Sequence, residues 1–158
     1  MFSEKFGLVT RMLPAGLLLA EALSTAPAAA VERQSAIIID AGTRAVLYAE
    51  APDAQRYPAS LTKMMTLYLT FDAIDRGRLS LGQQLVMSQH AATQQPSVTG
   101  LHAGDHLTVE QAIMAVTTKS ANDAAVALGE AVGGSEDNFA ALMTQRAKSL
   151  GMTNTVFR

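Results

Sequence analysis

The sequence predicts an α+β fold in which a β-hairpin precedes a mainly helical region. Residues 37–39 are a run of isoleucines, and a glycine-containing turn separates them from a second apolar stretch, which is typical of a hairpin. From residue 58 onward, apolar residues recur at helical spacing in several segments that are bounded by capping residues and glycines. Strands that are followed by a run of helices indicate an α+β protein rather than alternating βα units.

The hairpin is predicted over residues 35–50. Its first strand covers residues 35–40, its turn residues 41–43, and its second strand residues 44–50. The isoleucines of the first strand are contiguous and do not alternate with polar residues. We therefore expect this strand to be buried on both faces.

A helix is predicted to begin just after Pro58. Proline disfavours helical geometry at the preceding Tyr57 and suits the first turn of a helix. Apolar residues then follow at helical spacing, at Leu61, Met64, Met65, Tyr68 and Phe71. Gly77 marks the end of the helix, because glycine readily adopts the left-handed conformation of a C-terminal cap.

Residues 79–107 are predicted to be less regular than their neighbours. Short strands are expected at residues 84–88 and 104–107, with a loop at residues 94–100 between them, and residues 152–158 are expected to form a strand or an extended segment. The three histidines of the chain are His90, His102 and His106. They show no helical pairing and no neighbouring cluster of carboxylates, so no metal site is predicted.

Three further helices are predicted in the second half of the chain. Thr108 and Gln111 form a capping-box pattern that opens the first of them. The second runs over residues 122–132, and the third is capped by Ser135 and stopped by Gly151. The apolar stripe of the third helix consists of Phe139, Leu142, Met143, Arg146 and Leu150.

Residues 1–30 have the pattern of an export signal peptide. Lys5 and Arg11 supply a positive start, a short apolar run follows, and the small residues at 26–30 offer a cleavage site. The apolar run is shorter than the ~20 residues that a membrane-spanning helix needs. We therefore expect a mature chain of residues 31–158; the alternative is an ordinary N-terminal tail.

Composition places the chain among globular proteins. Its 158 residues are 49% hydrophobic and 16% charged, and this length suits a single domain. A net charge of -2 argues against nucleic acid or an anionic membrane as the main partner. The absence of cysteine excludes disulfides and thiolate metal sites.

Ser60 and Lys63 form the only Ser-x-x-Lys motif of the sequence. A three-residue offset on a helix places both side chains on one face, about one turn apart. A lysine amine has a reference pKa of about 10.4, so it accepts a proton at neutral pH only in surroundings that destabilise the ammonium. Leu61, Met64 and neighbouring apolar residues offer such surroundings, which predicts a serine nucleophile with a lysine base. The alternative is that Ser60 caps the helix and Lys63 extends into solvent.

A second candidate cluster is Ser120-Ala121-Asn122, which lies between two predicted helices. In a non-helical elbow, the Ser120 hydroxyl is able to relay a proton, and the Asn122 amide is able to bind a peptide carbonyl. Taken by itself, this short motif is a weak signal, and Asn122 acting as a helix N-cap explains it better.

Together, the two motifs resemble those of the penicillin-binding serine peptidases. The stretches that are similar to the low-molecular-mass D-alanyl-D-alanine carboxypeptidases are residues 59–66, 120–124 and 150–155. The resemblance extends from about residue 35 to Arg158. Ala121 is a small departure, because glycine is usual at that position in the family.

The resemblance implies a β-lactamase/D,D-peptidase-like fold that is incomplete here, with an N-terminal β-hairpin and a helical subdomain but without the C-terminal strands of the sheet. It implies a serine-type D-Ala-D-Ala carboxypeptidase, exported to the periplasm or cell envelope, that trims peptidoglycan stem peptides ending in D-Ala-D-Ala. Ser60 is then the nucleophile, Lys63 the base, Ser120 a proton shuttle and Asn122 a ligand of the substrate carbonyl. β-Lactams acylate the same serine in such enzymes, and no metal, organic cofactor or nucleic acid is implied.

The third motif of the family, Lys-Thr-Gly, does not occur in the sequence. The fragment nearest to it, residues 98–100, lacks the lysine and precedes Ser120. In the family, that motif supplies one of the two oxyanion-hole amides, and the Ser60 N–H corresponds to the other. Losing one such donor costs about 10²–10³ in rate, so we expect an N-terminal portion that is nearly inactive alone. A C-terminal membrane anchor, which is common among relatives, would lie beyond Arg158.

Two other functions are compatible with the same residues. A β-lactamase-like hydrolase shares the motifs, but class A enzymes usually carry Asp where this chain has Ala121, which favours the peptidase. A non-catalytic module would instead bind cell-wall peptides or a partner protein through the exposed edge of the hairpin.

Overall fold

The computed structural model describes residues 34–158. The predicted signal peptide, residues 1–30, and the expected start of the mature chain at residue 31 therefore lie outside the described residues. The chain divides into two compact units, with the boundary between Ala54 and Gln55.

The described part of the first unit is the predicted hairpin. Its strands β1 (Ala36–Ile39) and β2 (Val46–Glu50) are antiparallel, with Ile38 opposite Tyr48 and a bulge between Ile38 and Ile39. The turn is held by Asp40, whose Oδ1 accepts hydrogen bonds from the backbone N–H of Thr43 at 2.7 Å and from its hydroxyl at 2.6 Å. The hairpin prediction is confirmed.

The expectation that the isoleucines are buried on both faces is wrong. Ile37, Ile38 and Ile39 are 52%, 55% and 48% exposed. The reason is that β2 is the only strand that pairs with β1 within residues 34–158. A contiguous apolar strand needs neighbours on both edges and cover on both faces to become buried, and a two-stranded ribbon provides neither.

The second unit is mainly helical and contains, in order, a short 3-10 turn (Ala59–Leu61), α1 (Thr62–Asp75), β3 (Gln84–Val86), α2 (Gln89–Ala92), β4 (His106–Thr108), α3 (Val109–Lys119), α4 (Asn122–Gly133) and α5 (Glu136–Ser149). The four long helices and both short strands were predicted. The sequence prediction missed α2, a single turn that is capped by Ser88, whose hydroxyl accepts from the Ala91 N–H at 2.9 Å. Strands β3 and β4 pair antiparallel, with Leu85 opposite Leu107. None of the helices described here is both long enough and apolar enough to cross a bilayer.

The predicted helix boundaries depend on local capping groups that the structure confirms. Thr108 and Gln111 form a reciprocal capping box, with bonds of 3.1 and 2.8 Å. Ser135 caps α5 through the Asn138 N–H at 3.2 Å. Gly134 closes α4 with a φ of 80°, in the left-handed region that glycine adopts without strain.

The core of the second unit is organised around α4, which contacts α1, α2, α3, α5 and β3. The buried residues of α4 are mostly small: Asp123, Ala124, Val126, Ala127, Leu128 and Gly129. Small side chains allow neighbouring helices to approach closely. At Gly129 a Cβ atom would lie only 2.8 Å from Cδ1 of Phe139 in α5.

The predicted apolar stripe of α5 is only partly buried. Phe139 and Met143 are in the core, but Leu142 and Leu150 are 37% and 50% exposed, because α5 packs on α1 and α4 along one side only. Residues 152–158 do not form a strand. They are tied to α5 by Phe157, whose backbone N–H donates to the Thr144 hydroxyl at 2.8 Å.

Gly129→Ala is expected to lower the free energy of unfolding by about 1–3 kcal/mol, because the new methyl group overlaps Phe139. The matched control is Gly82→Ala, where a Cβ atom meets nothing within 4 Å. This control is expected to change stability by less than about 0.5 kcal/mol. Urea denaturation measures both variants, and equal stability of the two would contradict the close approach of α4 and α5.

The pair His90–Glu136 predicts a pH-dependent contribution to stability. His90 Nε2 lies 2.5 Å from Glu136 Oε2 and joins α2 to the first turn of α5. The hydrogen bond that His90 donates to the Glu136 carboxylate raises the pKa of His90 above its usual 6.5, and the nearby charges of Glu136, Glu130 and Asp137 act in the same direction. The stabilisation is therefore complete below pH ~6.5 and is lost as the pH rises through the pKa of the folded state.

Urea midpoints of the wild type and of His90→Gln are expected to converge as the pH is raised from about 5.5 to about 8.5. His106, which is exposed and takes part in none of the ion pairs described for residues 34–158, provides the control substitution His106→Gln. A midpoint difference for His90→Gln that stays constant or grows with pH would contradict the pairing.

Candidate active site

Ser60 and Lys63 lie at the start of α1, as the proline signal predicts. Ser60 is exposed in the short 3-10 turn, and Lys63, the second residue of α1, is half-buried. The turn is entered through Ala59, which has a φ of 49°. Left-handed backbone at a residue other than glycine is unfavourable and is found preferentially at functional sites.

Ser120 lies between α3 and α4 and adopts a left-handed conformation, with φ 57° and ψ 35°. Its backbone N–H donates to the carbonyl of Val116 at 3.1 Å, and that of Ala121 donates to the carbonyl of Ala115 at 3.2 Å, which ends α3. This elbow directs the Ser120 hydroxyl toward α1, where it donates to Ser60 Oγ at 2.9 Å. The two serines, 60 positions apart in the chain, are thus in direct contact.

Asn122 is the first residue of α4, and its side chain contacts Lys63. Lys63 Nζ donates to Asn122 Oδ1 at 2.6 Å. The N-cap of α4 is Ala121, and no side chain caps the helix there. The alternative interpretation of Asn122 as the N-cap is therefore wrong. Its amide Nδ2 instead donates to the backbone carbonyl of Gln95 at 2.7 Å.

The structure brings all four predicted site residues together, but it connects them differently from the sequence expectation. The expected contact was a proton-transfer pair of Ser60 and Lys63. Among the hydrogen bonds described for residues 34–158, Ser60 contacts Ser120, and Lys63 contacts Asn122. The role of Gln95 was not predicted, because a backbone carbonyl in an irregular loop carries no sequence signal.

The surroundings of Lys63 also differ from those expected. Leu61 and Met64 are 66% and 68% exposed. The apolar residues near the lysine come from other helices: Lys63 lines a cavity of about 190 Å³ together with Val126 of α4 and Phe139 of α5. Lys63 takes part in none of the ion pairs described for residues 34–158. Its amine is therefore held by a neutral amide at the edge of a cavity that has both apolar and polar lining, the latter including Glu136 and Arg158.

Comparison with known proteins gives the family. The family model for D-alanyl-D-alanine carboxypeptidase matches residues 21–158. The chain is 37% identical to D-alanyl-D-alanine carboxypeptidase DacF of Bacillus subtilis, over 80% of its own length and 33% of that protein. It is 35% identical to DacC of Escherichia coli, over 85% of its length and 35% of that protein.

Solved structures give the same result. The crystal structure of the D-alanyl-D-alanine carboxypeptidase DacD from Francisella tularensis matches with a TM-score of 0.76 and 35% identity, over 80% of this chain and 30% of that one. The fold and the Ser-x-x-Lys motif are similar to those of the class of penicillin-interacting serine peptidases. The chain belongs to the D-alanyl-D-alanine carboxypeptidase family. It spans about a third of the length of the curated relatives that it matches.

Replacing Ala59 by glycine is expected to leave the free energy of unfolding unchanged or to raise it by up to about 1 kcal/mol. The substitution relieves a left-handed backbone that costs a residue with a Cβ atom about 1–2 kcal/mol, and the greater freedom of glycine in the unfolded chain offsets part of this. In Ala141→Gly, at an exposed position inside α5, the same change is expected to lose about 1 kcal/mol. Urea denaturation of the two variants makes the comparison, and equal losses would contradict the strained entry to Ser60.

Proposed function

We propose that this chain carries the nucleophile and the proton-transfer groups of a serine D-Ala-D-Ala carboxypeptidase. The proposal depends on one observation, the hydrogen-bonded cluster formed by the two motifs. Ser120 donates to Ser60 at 2.9 Å, and Lys63 donates to Asn122 at 2.6 Å. Acyl transfer through a serine needs a nucleophile, a base and further polar groups close together, and these two hydrogen-bonded pairs supply such groups on neighbouring elements.

The proposed reaction begins when Ser60 Oγ bonds to the carbonyl carbon between the two terminal D-alanines. The Ser60 proton passes to the Lys63 amine, which has to be neutral to accept it. The C–N bond to the terminal D-alanine then breaks, and the proton passes from Lys63 through Ser120 to the leaving amine. Water attacks the acyl-enzyme, which releases the shortened peptide as a carboxylic acid and restores Ser60.

Asn122 has two proposed tasks in this reaction. Its Oδ1 orients the Lys63 amine, and its Nδ2 carries two hydrogens, of which one is engaged by the Gln95 carbonyl. The second hydrogen is proposed to bind the substrate carbonyl. An amide that binds both the base and the substrate fixes their relative positions before the reaction starts.

Residues 31–158 are proposed to be the N-terminal portion of the catalytic domain, and residues 1–30 an export signal that directs the protein to the periplasm or cell envelope. The absence of Lys-Thr-Gly from the sequence and the one-third coverage of relatives support the first proposal. The Ser60 N–H then supplies one oxyanion-hole donor, and the remainder of the longer protein supplies the other. Peptidoglycan stem peptides ending in D-Ala-D-Ala are the proposed substrate, and β-lactams the proposed inhibitors.

A fluorescent penicillin is expected to label the natural full-length protein that contains this chain, and Ser60→Ala is expected to reduce labelling by at least about 10³-fold. Ser80→Ala, at an exposed turn position, is the matched control and is expected to label normally. Labelling is read on a denaturing gel, and peptide mapping locates the modified residue.

Other outcomes of this experiment point to other functions. Labelling that is unchanged in Ser60→Ala would refute the nucleophile. A label that is lost within seconds, with rapid turnover of the penicillin, would indicate a β-lactamase-like hydrolase. Peptide binding without labelling, which persists in Ser60→Ala and Lys63→Ala, would indicate a non-catalytic module.

A further inference from the structure

The orientation of the Asn122 amide is determined by its two hydrogen-bond partners. An ammonium or amine hydrogen of Lys63 requires an acceptor, and the carbonyl of Gln95 requires a donor. The oxygen of the amide therefore faces the lysine, and its nitrogen faces the loop. The backbone N–H of Asn122 donates to the carbonyl of Ser97 at 2.7 Å, so the same loop contacts Asn122 twice.

This loop is held by Asp123, the neighbour of Asn122 in α4. Asp123 is 1% exposed. Its two carboxylate oxygens accept from the Thr99 N–H at 3.0 and 2.8 Å, and Oδ2 also accepts from the Thr99 hydroxyl at 2.5 Å. Oδ1 further accepts from the Ala124 N–H at 2.7 Å. Asp123 is absent from the ion pairs described for residues 34–158, so its buried carboxylate depends on these neutral donors.

Asn122 and Asp123 are neighbours at the N-terminal end of α4, and their side chains make two connected sets of contacts. Asn122 reaches the lysine, and Asp123 reaches Thr99, which is only two residues beyond Ser97 and four beyond Gln95. A loop fixed at Thr99 keeps its carbonyls against the helix. A loop that is no longer bound at Thr99 allows those carbonyls to move away from Asn122. The contacts that determine where the oxygen and the nitrogen of the Asn122 amide lie are then lost.

We propose that Asp123 is a positioning residue for the reaction: by binding Thr99 it holds the carbonyls of Gln95 and Ser97 on Asn122, and so keeps Asn122 Oδ1 on the Lys63 amine. The part of this proposal that concerns acylation rests on the proposed function. Its structural part, the link from Asp123 through the loop to the Asn122 amide, stands independently.

Two substitutions break the link at different points. Asp123→Asn replaces one acceptor oxygen by an NH₂ group opposite the donors of Thr99. Thr99→Val removes the hydroxyl donor with little change of shape, and Thr99→Ser restores it. Thr93→Val is the matched control, because within residues 34–158 the Thr93 hydroxyl bonds only to the carbonyls of Gln89 and His90 in its own helical turn.

The first readout is the rate of acylation by a fluorescent penicillin, measured on the full-length protein well below its melting temperature. Asp123→Asn and Thr99→Val are expected to slow acylation by about tenfold to a hundredfold, whereas Thr99→Ser and Thr93→Val remain within about twofold of wild type. In an Asn122→Ala background, Thr99→Val is expected to cause no further loss, because the amide that it positions is gone. An equal loss in both backgrounds would show a general structural effect and overturn the proposal.

The second readout does not require activity. In protein labelled with ¹⁵N-asparagine, the side-chain amide resonance of Asn122 is assigned by its disappearance in Asn122→Ala. It is expected to shift in Thr99→Val and to return in Thr99→Ser. An unshifted resonance overturns the link. If the wild type is not acylated at all, the proposed function fails while this measurement still decides the positioning.

Discussion

The packing of α4 against its neighbours is the constraint on which the rest of the helical unit depends. Ala121, Ala124 and Leu128 are completely buried, and Gly129 leaves just enough space for the ring of Phe139. Only small side chains permit several helices and a strand to surround one helix at close range. The candidate site is a consequence of this arrangement. The elbow in front of α4 carries Ser120, its first residue is Asn122, and both are directed at α1 because α1 packs on the same helix.

Capping chemistry made the helices predictable from sequence, because the signals are local. Pro58 marks the start of the first helix, Thr108 and Gln111 mark that of α3, and Gly134 closes α4. The short helix α2 was missed because a single capped turn has too little periodicity to be recognised. The isoleucines were misjudged because burial of a strand depends on the strands beside it, and the sequence of one strand does not report them.

The membership of the candidate site was also predictable, but its connections were not. The spacing of Ser60 and Lys63 places them on one helix and says nothing of a partner 59 positions away. The left-handed backbone at Ala59 and Ser120 is equally invisible, since neither residue type favours it. A hydrogen bond to the carbonyl of Gln95 depends on where a loop lies, which tertiary contacts determine. Residue types and spacing thus indicated which side chains form the candidate site, whereas the pairing of those residues depended on the fold.

The exposed isoleucines of the hairpin have a consequence for synthesis of the protein. The ribbon β1–β2 precedes every helix of the second unit in the chain, so it leaves the ribosome before them. About a hundred residues are then synthesised after it, at roughly 5–20 residues per second. During that interval, Ile37, Ile38 and Ile39 present a β-branched strand with an open edge, which is the kind of segment that pairs with copies of itself. A nascent chain of this protein therefore carries an aggregation-prone edge during that interval, and we expect recombinant yield to depend on how quickly the edge is shielded.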